Sequence, residues 1–565
     1  MRRALPAALV ALGAALLLWN LGRPALWQDE AETALRAESI LETGLPRTTL
    51  GGVLVTTQAS LSAHEGNAAG LWTWNTWLPA YLAAASIALL GRTPFAARLP
   101  FALAGILTLW LAWGLFDAGE NDELADRRAW APEAALALLA LSPSFLLFCR
   151  QSRYYALLAL GTVLVLRSWR RLLEKKPWGA LATALSLQFL LHASFAFFAA
   201  ACLALALDAA LRFDECPRAV RFWNAALLTA AMAAPAAWYF RVWDRPGNHA
   251  YGFAESLEFL KSFLLWLAAF AVPLALVGAA FARRWVLVAL GFVLLCGLVG
   301  EGPWSRICAV LAELALLPAA AREPAPYGVL NLRRLCLLWI AATLAMLAFG
   351  AAEPYARYLA GLLPATAYLS ARALSGLGRG RPAAVAALVV LAAASNVLFL
   401  APLKAAQALA APAAPENTVS GMMRQRLRDL PARSDLAGFA AETLSGAEGY
   451  VDAAAAAMRA GGGATFFSDA DSLSLMFATS LKPVYPDEFK SIEPDWILPS
   501  PWIGLTPELE ARVRDLAGSG RYERVDIEAP RLLWQNNPDP LFRDFSPKRG
   551  PLDLLHRRAA AQLLK

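Results

Sequence analysis

The chain has 565 residues, of which 58% are hydrophobic and only 17% charged, and it carries a formal net charge of +7. Apolar runs recur through about the first 400 residues, and the basic residues gather at the ends of those runs, where they set membrane orientation. That pattern excludes a soluble globular enzyme and a nucleic-acid binder. The cysteines Cys149, Cys202, Cys216, Cys296, Cys308 and Cys336 include no C-x-x-C pair, and none lies in the C-terminal region, which speaks against a disulfide framework and a structural zinc site.

The first apolar run, roughly 4 to 21, follows Arg2 and Arg3 and lacks an Ala-x-Ala-like cleavage site, so an uncleaved first span is expected. A long loop, 22–94, comes next. In it, Asp29 precedes a helical pattern carrying Leu35, Ile40 and Leu41 and ended by Gly44 and Pro46, which predicts a surface-lying helix. Residues 71–90 are apolar, with Trp72, Trp74 and Trp77 leading and Pro79 inside, and length alone permits a span. Charge placement decides against it. With Arg2 and Arg3 inside and 71–90 not crossing, the clusters at Arg127/Arg128, Arg167 to Lys176, Arg212 to Arg221, Arg283/Arg284, Arg333/Arg334 and Arg372 to Arg381 all fall inside. A crossing at 71–90 would put all of them outside.

Apolar runs at 95–116, 131–149, 154–168, 178–192, 195–211, 222–240, 259–281, 284–300, 304–320, 334–350, 357–374 and 383–402 bring the count to about 13 spans. Residues 403–415 are an Ala/Pro linker, and 416–565 are soluble in character. There a helix over 448–460 ends at Gly461 to Gly463, and strands are expected at Thr465 to Phe467, Asp495 to Leu498 and Tyr522 to Ile527. Thr506-Pro507 is an N-cap with a first-turn proline, starting a helix to about Leu516. The glycines follow a helix and precede a strand, the reverse of the order in a dinucleotide fingerprint. The expected architecture is a polytopic α-helical membrane protein over 1–402 with a C-terminal soluble α/β domain over 416–565. The N-terminus would be cytoplasmic and the C-terminal domain extracytoplasmic, in a cell (inner or plasma) membrane.

Two adjacent carboxylates, Asp29 and Glu30, sit just past the first span. An N-cap and a first-turn acid account for them locally; a catalytic base accounts for them equally, and the two readings are compatible. Adjacent helical side chains diverge by about 100°, so one acid would act while the other orients or binds a cation. His64-Glu65, later in the loop, is either solvated and idle or a substrate or metal contact facing Asp29. His192 and His249 are assigned structural roles. Arg150-Gln151-Ser152-Arg153-Tyr154-Tyr155 lies between two spans on the outer face, against the charge trend. Either these arginines snorkel to lipid phosphate, or Arg153 binds a substrate phosphate with Arg150 in support. Glu353-Pro354-Tyr355-Ala356-Arg357-Tyr358 repeats the pattern at a later span.

At this point the chain resembles a GT-C fold glycosyltransferase of the family 39 type, the group that includes protein O-mannosyltransferases and the lipid A aminoarabinose transferase. The matching stretches are Asp29-Glu30-Ala31, Ile40 to Pro46, His64-Glu65-Gly66 before an aromatic helix, Gly91 to Pro100 with Ala97-Arg98-Leu99-Pro100, Arg150 to Tyr155, and Arg357-Tyr358 to Pro364. The resemblance covers about residues 1 to 400 and leaves the C-terminal domain unassigned. It implies a polyprenyl-phosphate sugar donor, inverting transfer on the outer face, and a non-crossing helix in the first loop. Carried over, Asp29 is the general base and Glu30 assists. Arg153 and Arg357, with Arg150, Tyr154 and Tyr358 beside them, hold the donor, while His64 and Glu65 line the site. Glu30, Glu65 and His64 are the candidates for a divalent cation. Some members carry a second acid after the third span, where this chain has Arg153-Tyr154-Tyr155, so a metal bridged between two outer loops is not expected. The expected partners are the donor lipid, a glycan, lipid or protein acceptor, and the bilayer. A transporter or flippase of lipid-linked saccharides is the alternative, but polar clusters at span ends favour an enzyme over the mid-span polar groups of transporters.

Overall fold

The structure is a computed structural model that describes residues 4–55, 65–122, 130–212, 220–242, 252–281, 284–300, 302–323, 329–351, 354–375, 382–410, 432–446, 448–499, 505–531 and 548–558. Helix α1 (Ala4–Leu18) leads into the first loop, which holds α2 (Gln28–Thr43), a two-stranded ribbon of β1 (Thr49–Leu50) and β2 (Val53–Leu54), and α3 (Leu78–Leu90). The bundle continues through α4 (Pro94–Asp122), α5 (Ala131–Ala140), α6 (Pro143–Cys149), α7 (Tyr155–Leu173), α8 (Gly179–Ala193), α9 (Phe195–Ala210) and α10 (Val220–Tyr239). It is completed by α11 (Phe253–Phe281), α12 (Trp285–Val299), α13 (Pro303–Ala321), α14 (Leu332–Gly350), a tight 3₁₀ turn over Ala356–Leu362, α15 (Leu363–Ser375), α16 (Pro382–Ala394) and α17 (Val397–Ala410).

Among the described residues, three helices are long and apolar enough to cross a membrane, or five if the bent pairs α5/α6 and α16/α17 each count as one span. Five further apolar helices are shorter, α3 among them. With 13 residues, α3 reaches about 20 Å, short of a bilayer core of about 30 Å. Within the stretch expected as a linker, 403–415, α17 carries helix through Ala410, and 411–415 lie outside the described residues.

Helix α2 corrects one expectation. It ends as the sequence implies, with Gly44 in the left-handed region at φ 81° donating its N–H to Ile40. It is not surface-lying, however. Residues from Glu30 through Ala37 are all buried, with Ser39 and Ile40, and only Leu41 of the expected apolar face points outward. The helix packs against α3 on one side and a helix of the C-terminal domain on another. Trp77, at the start of α3, sits edge-on to Tyr239 and Phe240 and so pins the loop to the end of α10.

At the opposite end of the bundle, a buried carboxylate ties three helices together. Asp208 of α9 accepts from Trp169 of α7 at 2.8 Å, pairs with Arg212 at 3.0 Å, and meets Arg334 of α14 at 3.0 Å. Helices α7 and α8 form a close antiparallel hairpin. A side chain at Gly179 would lie 2.9 Å from the Leu172 Cα, so only glycine permits that approach.

The C-terminal domain contains α18 (Tyr450–Gly461), β3 (Thr465–Ser468), α19 (Ser472–Thr479), β4 (Lys482–Val484), β5 (Trp496–Leu498), α20 (Pro507–Gly518), β6 (Tyr522–Arg531) and β7 (Lys548–Arg557). The sheet order is β4-β3-β5-β7-β6, with β3 parallel to β4 and β5 and the last two strands antiparallel. Thr506 caps α20 by accepting from the Leu509 N–H at 3.4 Å. Phe467 stacks on Phe489 with ring centres 3.8 Å apart, within a core that includes Ile497, Leu516 and Tyr522.

Candidate active site

The N-cap of α2 is Trp27, so Asp29 stands one turn-position inside the helix and is not its cap. Glu30, at the third position, closes the start of the helix by accepting from the Trp27 N–H at 3.3 Å. This separates the two acids. Glu30 has no exposed surface, and Arg98 of α4 clamps it with two bonds of 2.8 and 2.6 Å. The Ser152 N–H adds a third at 2.8 Å. The rest of the Arg98 guanidinium is spent on the carbonyls of Leu21, Pro24 and Ala25. Glu30, grouped with Asp29 as catalytic from the sequence, is placed here as the buried anchor that holds the loop against α4 and the α6–α7 break.

Asp29 remains partly open. Its Oδ2 lies 3.6 Å from Arg153 Nη2 and 3.8 Å from Arg357 Nη2. Both separations are ion-pair contacts longer than hydrogen bonds. Arg153 also donates to the Asp29 carbonyl at 3.1 Å and to Glu32 Oε2 at 2.9 Å. Burial by itself would lower the Arg153 pKa, but Asp29, followed by Tyr155 and Glu32, holds it well above the ordinary arginine value. Arg357 lies over Tyr355 at 4.1 Å, Trp27 at 5.6 Å and Tyr358 at 5.8 Å. The two off-trend arginines, about 200 residues apart in the chain, therefore meet on one carboxylate oxygen.

A cavity of about 440 Å³ opens beside this cluster. Tyr154 and Tyr358 are among its lining residues, and Trp74, Phe195, Phe198 and Met346 contribute apolar wall. It runs between the first loop, α7, the start of α9 and the end of α14.

Three expected site residues are engaged elsewhere or lie outside view. The Arg150 guanidinium donates to the carbonyls of Leu16, Leu17, Trp19 and Asn20 at 2.7 to 3.2 Å, which closes the open end of α1. That corrects its assignment to substrate. Glu65 is buried and paired with Arg36 at 3.4 Å. His64 lies outside the described residues. The metal candidates do not fit a cation as they stand: Glu30 belongs to Arg98 and Glu65 to Arg36, so each carboxylate is already matched by a fixed positive charge. Among the described residues no group of three His, Cys, Asp or Glu side chains comes together.

The sequence reading gave no site role to Glu32, Arg36, Arg98 or Tyr155, although Arg98 and Tyr155 lie in stretches that carry the resemblance. Arg36 joins Glu32 at 2.8 Å, lies 4.0 Å from the Trp72 ring, and donates to the Arg47 carbonyl at 3.5 Å. Burial by itself would raise the Glu32 pKa, and Arg36 and Arg153 overcome it, so the net shift is downward. The i,i+4 spacing of Glu32 and Arg36 was the available signal. Tyr155 is buried, and among the described residues its hydroxyl has no hydrogen-bond partner.

No known family pattern matches the chain, and no curated protein matches it. Among solved structures, ArnT from Cupriavidus metallidurans bound to undecaprenyl phosphate superposes with a TM-score of 0.50 at 13% identity, covering 98% of both chains. The same protein in the apo state gives a TM-score of 0.46 at 13% identity over 97% of each chain. From α1 to β7, with the carboxylate on α2 facing the α6–α7 break, this chain has the GT-C fold of ArnT.

Proposed function

We propose that the protein is an integral-membrane inverting glycosyltransferase that takes a sugar from a polyprenyl-phosphate donor, with Asp29 as general base and Arg153 and Arg357 as the phosphate-binding pair. The observation that carries this reading is the shared position of the two guanidiniums on Asp29 Oδ2, beside an aromatic-lined cavity. The fold relative holds undecaprenyl phosphate, and two converging arginines beside an apolar channel suit a lipid with a phosphate head.

In this scheme the donor phosphate enters between Arg153 and Arg357 and takes over their charge. The long contacts to Asp29 are exchanged for phosphate contacts, and the carboxylate is released toward the acceptor. An acceptor hydroxyl or amine attacks the anomeric carbon on the face opposite the phosphate. The carbon–oxygen bond to the phosphate breaks, the electron pair leaves with the polyprenyl phosphate, and the acceptor's proton passes to Asp29. The arginines stabilise the charge that grows on the leaving phosphate. Glu30, Glu32, Arg36 and Arg98 hold the helix that carries the base.

The reaction faces the extracytoplasmic side of a cell membrane in the topology that the basic clusters favour. The C-terminal domain packs on α2, within reach of an acceptor. The test is transfer of labelled sugar from synthetic polyprenyl-phosphate donors by the purified protein. Transfer that vanishes in Asp29→Asn supports the assignment; a variant with most of the wild-type rate removes Asp29 as the base.

A further inference from the structure

The cavity beside Asp29 has two layers. Four neutral polar side chains line it: Asn75, Tyr154, Ser194 and Tyr358. Tyr154 and Ser194 stand at the starts of α7 and α9. One helical turn further along, about 5.4 Å, the lining turns apolar. The Leu158 N–H donates to the Tyr154 carbonyl at 3.0 Å and the Phe198 N–H to the Ser194 carbonyl at 3.0 Å, so Leu158 and Phe198 follow on the same helix faces. At the end of α14, Leu347 likewise lies one turn inside Ala351. The tyrosines join the polar layer to the phosphate-binding pair: the Tyr154 ring lies 5.6 Å from the Arg153 guanidinium, and the Tyr358 ring 5.8 Å from that of Arg357. The other two polar groups are not spent on the fold. Ser194 precedes α9 without its hydroxyl capping the helix. Asn75 gives its side-chain oxygen to the Thr76 N–H at 3.0 Å, and its amide N–H donors stay uncommitted among the described residues.

We propose that this polar layer is the subsite for the transferred sugar and that it selects an uncharged one, with Asn75 and Ser194 bonding to its hydroxyls; the inference rests on the polyprenyl-phosphate donor reading. The first isoprene units follow along the apolar layer. A polyprenyl chain alone has no use for an amide and three hydroxyls, whereas a sugar bonds to each of them and packs on the rings of Trp74 and Phe195. Charge narrows the class. No charged side chain lines the cavity among the described residues, and Asp29 beside it already faces two guanidiniums. An amino sugar would bring its ammonium against those guanidiniums, where a like charge is disfavoured. A uronic acid would bury a carboxylate beside arginines already engaged by the donor phosphate. A neutral hexose meets neither cost.

The test is competition for labelled polyprenyl phosphate on the purified full-length protein in detergent. The competitors share one lipid and carry no sugar, a neutral hexose (glucose, galactose or mannose), glucosamine in its ammonium form, or glucuronic acid. At least one neutral hexosyl lipid is expected to bind about tenfold more tightly than the bare lipid, the size of one or two hydrogen bonds, and both charged sugars no more tightly than the bare lipid. Asn75→Ala and Ser194→Ala should each remove most of that gain and leave the affinity for the bare lipid where it was, which also shows that the variants fold. A charged sugar that matches the best hexose, a hexose that adds nothing to the bare lipid, or a gain that survives both substitutions overturns the proposal. Failure of the wild-type protein to bind the bare lipid would instead overturn the donor reading, and this subsite with it. The readout is binding, so it is independent of the assignment of Asp29 as base.

Discussion

The side-chain amide of Gln28 accepts the Leu473 N–H at 3.0 Å, across 445 residues of sequence, and donates to Ser472 Oγ at 3.2 Å. Gln28 is the residue before Asp29, and Ser472 and Leu473 open α19 of the C-terminal domain. Arg92 grips the other end of α19 through the carbonyls of Phe477 and Met476, while pairing with Glu38 of α2 at 2.6 Å. The domain is therefore bolted to the helix that carries the carboxylate. Gln28→Ala should loosen it by about 1–2 kcal/mol and slow transfer by about tenfold through misplacement of Asp29. Transfer at the wild-type rate together with faster proteolysis of the domain would show that the linkage is mechanical only.

Arg153 and Arg357 should fail in different ways. Arg153→Ala removes partners of both Asp29 and Glu32, so activity and melting temperature fall together. Arg357→Ala removes an ion pair to Asp29 and contacts to aromatic rings, so the rate should drop by about 10²–10³ with the fold largely retained. A rate within a few-fold of wild type in Arg357→Ala would take that residue out of the phosphate site.

Glu30 should behave as a structural group. Removing one partner of a fully buried, hydrogen-bonded ion pair costs about 3–5 kcal/mol, so Glu30→Gln should lower the yield of folded protein and its melting temperature. If Glu30→Gln melts like the wild type but cannot transfer sugar, Glu30 has a part in the chemistry.

Because arginines match the acids that were candidates to hold a cation, transfer should persist after treatment with a strong chelator. Restoration of a lost rate by added Mg²⁺, Mn²⁺ or Zn²⁺ is the outcome that contradicts this, and it would draw attention to His64.

A pH effect belongs to the C-terminal domain. Asp471 is buried, and burial raises its pKa to about 6 despite the hydrogen bond from Tyr450; Asp469 adds to the rise. A carboxyl raised above its unfolded value favours the fold while protonated. That contribution is present below pH 3.8, the ordinary Asp value, and is lost as the pH rises through about 6. Asp471→Asn should therefore gain stability over the wild type as the pH rises from about 4 to about 6, approaching a limit of about 3 kcal/mol. Parallel melting curves across that range would discount the titration.

Much of the helical framework was legible because hydropathy reports apolar runs directly. The runs expected at 154–168, 178–192 and 334–350 correspond to α7, α8 and α14 within a few residues. What pattern could not reveal was which charges face one another. Arg98 was visible as a letter in one of the stretches that carry the resemblance, but its bond to Glu30 spans 68 residues and depends on packing. Arg150 and Arg153 look alike in sequence, both against the charge trend. One turns back to the carbonyls at the end of α1 and the other forward to Asp29, a difference set by the α6–α7 break. The C-terminal strand β7 escaped notice because its apolar run, Leu552, Leu554 and Leu555, is short and interrupted by Asp553.

The break between α6 and α7 also bears on how the protein is made. Arg150 reaches α1, the Ser152 N–H reaches Glu30, and Arg153 reaches Asp29 and Glu32, while Gln28 waits for Leu473. The loop bearing the carboxylate is made before Arg98, which follows Glu30 by 68 residues, and the restraints from Ser152, Arg153 and Leu473 come from chain synthesised more than 100 residues after the partners they hold. Helix α2 is thus born early and finished late, and a nascent chain halted before residue 473 would hold Asp29 without the clasp beside it.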